Sequence, residues 1–314
     1  MHPTCREIEP DLVAVATGEG SSGAEAAVAA HVARCRPCRD ELSRYRTLEG
    51  MVAELRRAPV PGADPAVARA ELEARLADIR SRAVAFGVFD SPLGRIVIAR
   101  SELGVSLVQY LDSEERLRER LAELAADAVE DRAETEPLHR ELLEYLTGRR
   151  TRLDWPLDLR AARSEFQRRV LEATARLPYG AVTSYTGIAR RIGAPRATRA
   201  VAQALRRNPL PIVIPCHRVV GNAGDLVGYA GQRVGLKRRL LSVEGVPVAP
   251  GERVDRQQMY CLYEGENAYC LPTCGSISTL PLAELTLFAS RGAAEGCGLT
   301  PCETCRPDVH PLPA

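Results

Sequence analysis

The spacing of apolar positions changes several times along the chain, and each change marks a different element. Ala83–Asp90 and Gly94–Arg100 are short apolar runs that read as two strands joined at Asp90-Ser-Pro-Leu-Gly94, with Gly104–Tyr110 as a third. From Ser113 to Ala126 and from Pro137 to Leu146 the spacing is helical, and Ser113 is a plausible N-cap. Ser164 is placed to cap a helix over Glu165–Leu177 that stops at Pro178-Tyr179-Gly180. Ser184 is placed to cap Tyr185–Ile192, stopped by Gly193, and after Ala194-Pro195 a third helix runs from Arg196 to Arg207. Two short helices about a Gly/Pro turn make a helix-turn-helix unit. The apolar run Pro211-Ile-Val-Ile-Pro215 then delivers Cys216 against His217. Two readings fit it: a buried strand ending in a structural cysteine, or the approach to a thiol activated by a neighbouring base.

Outside this body the pattern is different. Ala24–Cys35 is Ala-rich and helical, with His31 and Cys35 on one face and Cys38 about one turn later. Residues 51–82 read as a Pro/Gly linker followed by a helix from Ala66 to Arg82. The formal net charge of +1 gives no global basic field, so contact with nucleic acid requires a local patch. The helix over 196–207 offers one, interleaving Arg196, Arg199, Arg206 and Arg207 with small Ala197, Ala200, Ala202 and Ala204 that let a backbone approach closely. All but one of the 42 basic residues are Arg, the exception being Lys237. No apolar run nears the roughly 20 residues of a membrane span, and no basic-then-apolar leader opens the chain, so no membrane partner and a cytoplasmic location are expected.

The ten cysteines cluster at the two ends, with Cys216 alone between them. In a reducing compartment short Cys/His spacings favour metal over disulfides. His31-x3-Cys35-x2-Cys38 with Cys5 would make a three-cysteine, one-histidine zinc site, the alternative being a helix with incidental thiols. Cys270-x3-Cys274 and Cys302-x2-Cys305, 27 residues apart, have the spacing of a four-cysteine zinc site. Cys261 and Cys297 fall outside both patterns, and no organic cofactor is expected.

Pro178-Tyr-Gly-Ala-Val-Thr-Ser-Tyr185, Arg199-Ala-Val201, Asn208-Pro209, Pro215-Cys-His-Arg-Val219, Gly228-Tyr-Ala-Gly231 and Val243-Glu-Gly245 together resemble the O6-alkylguanine-DNA alkyltransferase family, over about residues 83–247. The resemblance implies a ribonuclease-H-like α/β lobe (83–160), then a winged-helix-like DNA-binding and catalytic domain (161–249), which the two small zinc modules expected from the cysteine spacings would flank. It implies alkylated double-stranded DNA as partner, with the damaged base flipped out of the stack. Arg199 would fill the vacated stack, and Ala197, Ala200 and Tyr229 would lie at the DNA interface. Tyr185 would press on the neighbouring phosphate and donate to guanine N3. Glu244 would orient His217, which would activate Cys216 through a water, and Asn208 would shape the thiol pocket. The backbone of Cys216 and Val219, with Ala230, would read the guanine edge; a hydroxyl residue is commoner at Ala230 in the family. The reaction would be a single, irreversible transfer from O6-alkylguanine, with O4-alkylthymine as a further candidate.

Residues 1–50 resemble the zinc-binding anti-sigma finger, which implies a sigma factor or another protein partner. Residues 255–310 resemble the metal-binding domain of Ada-type repair proteins. That likeness implies a Cys270 that both binds zinc and accepts a methyl group from a DNA methylphosphotriester. Leu271 and Thr300 stand where Arg is usual, Glu264-Gly-Glu266 replaces a basic stretch, and Gly275-Ser-Ile-Ser lacks an expected Arg. Carboxylates repel phosphate, so these departures favour a structural zinc module. Two functions of different class follow: a suicide alkyltransferase, or a damage-sensing regulator whose zinc modules bind a partner.

Overall fold

The computed structural model describes residues 4–57, 65–124, 128–231 and 233–313. They form two compact units, residues 1–73 and 74–314. In the first, helices α1 (Cys5–Thr17), α2 (Ser22–Val32) and α3 (Arg36–Arg57) bury Ile8, Leu12, Val28, Cys38 and Leu42 together. A reciprocal capping box of Thr4 and Glu7 starts α1, and the Ser21 side chain caps α2. The helix expected over 24–35 ends at Val32. A new helix starts at Arg36 with Pro37 in its first turn, where proline is tolerated. Arg39 turns back to donate to Val32 O and Ala33 O at 2.9 and 3.0 Å, satisfying carbonyls at the end of α2. Residues 51–57, expected as linker, continue α3. The Pro/Gly stretch 58–64 lies outside the described residues, and α4 (Pro65–Arg82) follows.

The second unit opens with β1 (Val84–Ser91), β2 (Gly94–Ser101) and β3 (Gly104–Tyr110), followed by α5 (Glu114–Leu124), β4 (Ala128–Glu130) and α6 (Arg132–Leu146). The sheet order is β3-β2-β1-β4, with β4 parallel to β1. Helix α6 begins five residues before the expected Pro137, because Asp131 Oδ1 accepts from Glu134 N at 3.0 Å and starts it there. Then come α7 (Glu165–Ala175), β5 (Ala181–Ser184), α8 (Tyr185–Arg191) and α9 (Thr198–Arg206). Ser164 and Ser184 cap α7 and α8 as expected, accepting from Gln167 N and Gly187 N at 3.1 and 3.0 Å. Gly193 at φ +70° closes α8: its N–H bonds to Arg190 O and the next N–H, of Ala194, to Ala189 O, both at 2.8 Å. Helix α9 starts two residues later than expected, at Thr198. Gln167, buried on α7, donates to Ala204 O and Arg207 O and so secures its far end.

The chain continues through β6 (Val219–Val220), α10 (Val234–Val243), β7 (Val248–Ala249), β8 (Arg253–Val254), β9 (Tyr260–Tyr263), β10 (Ala268–Cys270), β11 (Leu285–Phe288), α11 (Arg291–Glu295) and β12 (Thr300–Pro301). Strands from both the central body and the C-terminal segment share one six-stranded sheet, ordered β12-β10-β9-β11-β5-β6. Strand β5 carries no pattern of its own in the sequence, lying between the Pro178-Tyr179-Gly180 helix stop and the Ser184 cap. No helix among the described residues is long and apolar enough to cross a membrane.

Candidate active site and cysteine clusters

The run Pro211–Pro215 is not a strand. Ile212 has φ +77°, a costly conformation for a β-branched residue, and Ile214 N folds back to Leu210 O at 2.8 Å. The chain thereby turns into a single 3-10 turn, Cys216–Arg218, before β6. Asn208 braces the turn from the end of α9. Its Nδ2 donates to Ile214 O at 2.9 Å and contacts Cys216 Sγ at 3.3 Å, while its Oδ1 accepts from Leu210 N at 3.0 Å. Cys216 lies in the wall of a pocket of about 380 Å³, with Tyr185, Arg199, Ala202, Val227 and Tyr229.

Behind the thiol, His217 is fully buried and its Nε2 donates to Glu244 Oε1 at 2.6 Å. Its Nδ1 is buried and bonds to no other protein group. Glu244 also accepts from Arg218 Nε at 2.8 Å, Arg218 Nη2 at 3.0 Å, Gly180 N at 3.0 Å and the Tyr145 hydroxyl. Burial opposes ionisation of Glu244, but the charges and hydrogen bonds of His217 and Arg218 prevail and hold its carboxyl at about 2. Burial pushes the His217 imidazole below its usual value, against the pull of Glu244. Burial also pushes the Cys216 thiol above its usual value, against the Asn208 hydrogen bond and the Lys237 charge. The resting set is therefore a thiol, a neutral imidazole and a carboxylate.

Sequence reasoning missed several members of this set. No motif in the sequence marks the α/β lobe as part of the site. Yet Tyr145 of α6 bonds to both Glu244 and Arg218, and Tyr110 of β3 shares a 3.0 Å hydroxyl contact with Tyr229. Arg218 had a signal, its place directly after Cys216-His217. Lys237 had another, as the single lysine in an arginine-rich chain. It is fully buried, donates to Val219 O and Val227 O at 2.6 and 3.1 Å, and is pushed down to about 8, chiefly by burial.

The candidate DNA-facing residues are split by the fold. Arg199 and Ala200 are exposed on α9, and Ala197 is half-buried at its N-cap. Tyr185, half-buried at the start of α8, donates to Val227 O at 3.1 Å. Tyr229 is 3% exposed, so it forms pocket wall rather than outer surface. Ala230, at φ +41°, lies between Gly228 and Gly231, also left-handed, in the loop that rims the pocket.

Both cysteine clusters assemble. The ligand atoms of Cys5, His31, Cys35 and Cys38 lie within 4.8 Å of one another, as do those of Cys270, Cys274, Cys302 and Cys305. Each group can hold a metal ion. His31 Nε2 is buried without a hydrogen-bond partner among its neighbours, as a metal ligand would be. At the other cluster Leu271 N donates to Cys305 Sγ at 3.3 Å, a contact that favours a thiolate. Cys261, buried in the core, and Cys297, exposed, belong to neither cluster.

A helix-turn-helix carries a pocket with a thiol in its wall, backed by an imidazole–carboxylate pair, an arrangement suited to a DNA-binding protein with a reactive cysteine. Residues 84–159 match the 6-O-methylguanine DNA methyltransferase ribonuclease-like domain, and residues 165–246 match the DNA binding domain of the same family. The chain is 37% identical over 159 residues to the methylated-DNA–protein-cysteine methyltransferase of Methanosarcina barkeri, covering 51% of this chain and 96% of that relative. It is 36% identical over 162 residues to the constitutive enzyme of that name from Bacillus subtilis, covering 50% and 93%. Among solved structures it is similar to Mycobacterium tuberculosis OGT in complex with DNA, at 35% identity, 51% and 92% coverage and a TM-score of 0.45. The chain belongs to the 6-O-methylguanine DNA methyltransferase family.

Proposed function

We propose that this chain repairs DNA as a methylated-DNA–protein-cysteine methyltransferase, with Cys216 as the acceptor of the alkyl group of O6-alkylguanine. The observation that carries the assignment is the state of His217. Glu244 accepts the hydrogen bond of Nε2–H and fixes the proton there, which leaves the buried Nδ1 lone pair as the base. The thiol passes its proton to Nδ1 through a water, and the thiolate attacks the alkyl carbon. The carbon–sulfur bond forms as the carbon–oxygen bond breaks, and guanine departs with the electron pair and takes up a proton, for which the Tyr185 hydroxyl at the pocket wall is the donor we assign. A thioether has no exit from this site, so each molecule acts once. Incubation with an O6-methylguanine duplex and peptide mass mapping should find one methyl group on Cys216; a methylated duplex consumed with Cys216 unmodified would refute the assignment.

Arg199, exposed at the pocket mouth, is the residue we assign to the gap left by the flipped base. Arg199→Ala should slow repair of a duplex by about tenfold or more, because the cost of unstacking is no longer offset. Reaction with free O6-benzylguanine should be nearly unchanged. Equal loss on both substrates would move Arg199 from base flipping to pocket structure.

Zinc is the metal we assign to both clusters, since tetrahedral sets of thiolates and imidazole suit it best. It would fix small segments that have little core of their own. The purified protein should carry two zinc ions, falling to one in Cys38→Ser by elemental analysis. The C-terminal segment is read as structural rather than as a second alkyl acceptor. Its seven carboxylates outnumber its three arginines, and these bond internally: Arg256 to Ile277 O and Leu280 O, Arg291 to Glu295, Arg306 to Asp308. Cys270 is 7% exposed.

A second reading, with residues 1–50 binding a sigma factor or another protein, draws support from α3. Leu48, Met51, Val52 and Leu55 form an exposed apolar stripe at helical spacing. Such a regulator would couple this contact to damage sensed at Cys216.

A further inference from the structure

Strand β5 is the link between the two ends of the active site. Gly180, just before it, donates its N–H to Glu244, and Tyr185, just after it, enters the pocket. On one edge β5 pairs in parallel with β6, the strand that follows Cys216-His217-Arg218. On the other edge it pairs antiparallel with β11, Thr183 opposite Thr286, Val182 opposite Leu287 and Ala181 opposite Phe288. Two further bonds extend the seam: Ala289 N to Gly180 O at 2.8 Å, and Thr183 Oγ1 to Leu285 O at 3.2 Å. All four residues of β5 are fully buried. A buried strand with an unpaired edge leaves its N–H and C=O groups unsatisfied, so β5 depends on β11.

Strand β11 in turn belongs to the cysteine-bearing segment. It pairs with β9, β9 with β10, and β10 with β12. Strand β10 ends at Cys270 and β12 runs directly into Cys302, so the cluster pins the far end of this sheet. Side chains close the near end around the first helix of the helix-turn-helix. Arg190 pairs with Glu284 at 3.1 Å and Arg191 with Glu264 at 2.6 Å. Glu264, read from sequence as repelling phosphate, here grips α8.

We propose that the C-terminal four-cysteine segment is a positioning element of the alkyltransferase site: metal at Cys270, Cys274, Cys302 and Cys305 fixes β10 and β12, and through β9 and β11 holds β5, Gly180–Glu244 and Tyr185 in place. The reactivity of Cys216 therefore depends on a metal that never touches the substrate. This rests on Cys216 being the alkyl acceptor.

The test uses the full, zinc-loaded chain and compares Cys305→Ala with Cys297→Ala, an exposed cysteine outside the cluster. Three quantities are read: amide exchange over residues 180–184, the pH dependence of Cys216 alkylation by iodoacetamide, and transfer from an O6-methylguanine duplex. In Cys305→Ala exchange should accelerate and transfer should slow, each by about tenfold or more. The apparent pKa of Cys216, raised by burial in the parent, should fall as its surroundings loosen, while far-UV circular dichroism stays parental and excludes a mere loss of folded protein. Cys297→Ala should match the parent. A folded Cys305→Ala that lacks its zinc yet keeps parental exchange and titration overturns the proposal. If that variant does not fold, chelator titration of the Cys38→Ser chain decides instead: exchange over residues 180–184 should accelerate in step with loss of its one zinc ion, and exchange that stays parental as that zinc leaves overturns the proposal. Failure of the parent to methylate Cys216 would refute the acceptor assignment alone, while the exchange results would still decide whether the cluster holds β5.

Discussion

Cys216→Ala abolishes alkyl transfer and leaves lesion binding within a few-fold of the parent. The separation follows from how little of the pocket depends on the sulfur. Asn208 keeps its bonds to Ile214 O and Leu210 N, and these, rather than its 3.3 Å contact with Sγ, hold the turn. The His217–Glu244–Arg218 set behind the turn is untouched, and the pocket walls of Tyr185, Val227 and Tyr229 remain. A buried cysteine behaves as a small hydrophobe, so its truncation costs about 1 kcal/mol of stability and keeps the fold. Chemistry, by contrast, has no substitute. Of the other nine cysteines, seven lie in the two clusters, Cys261 is sealed in the core and Cys297 lies outside the pocket. Incubation with radiolabelled O6-methylguanine duplex should leave the variant unlabelled, while a gel shift should still favour damaged over undamaged duplex. Parental labelling of the variant would mean that another residue is the acceptor.

What the sequence made legible was local, and what it hid was not. Ser164 and Ser184 announce their helices because a cap needs only the next three residues. The ligand sets were legible for a related reason: short spacings within each Cys/His pair survive almost any fold. The continuous helix expected through His31 and Cys35 breaks after Val32, where Arg39 of the next helix closes α2 in a way that depends on the turn between them. Strand β5 left no signal, since four buried residues between two helices acquire meaning only from partners at 219–220 and 285–288. The prolines of Pro211–Pro215 argue against a central strand, one of the two readings that the apolar run leaves open. Tyr145 and Tyr110 were invisible as site residues because each meets its partner about a hundred positions away. Non-local convergence of this kind is what a single sequence does not print.

Glu244→Gln tests the carboxylate as both the orienter of His217 and the counter-charge of Arg218, and it should damage rate and stability together. Gln keeps the shape but not the charge, and its amide group offers donors where five donors already converge. Arg218, 6% exposed, is then a buried cation without its anion, a loss of about 3–5 kcal/mol. His217 loses the charge that opposes its burial, becomes a weaker base, and transfer should fall by about 10²–10⁴-fold. The pH dependence separates this account from simple misfit. The Glu244 carboxyl is lowered in the folded state to about 2, so it binds fewer protons there than in the unfolded chain. Its contribution, about 3 kcal/mol, is complete above the ordinary carboxyl range near 4.5 and disappears as pH falls towards 2. Denaturant melts of parent and variant should therefore differ most at neutral pH and converge through that acidic window. A gap that stays constant down to pH 2 would assign the loss to packing, and a variant with parental rate would remove Glu244 from the proton path to Cys216.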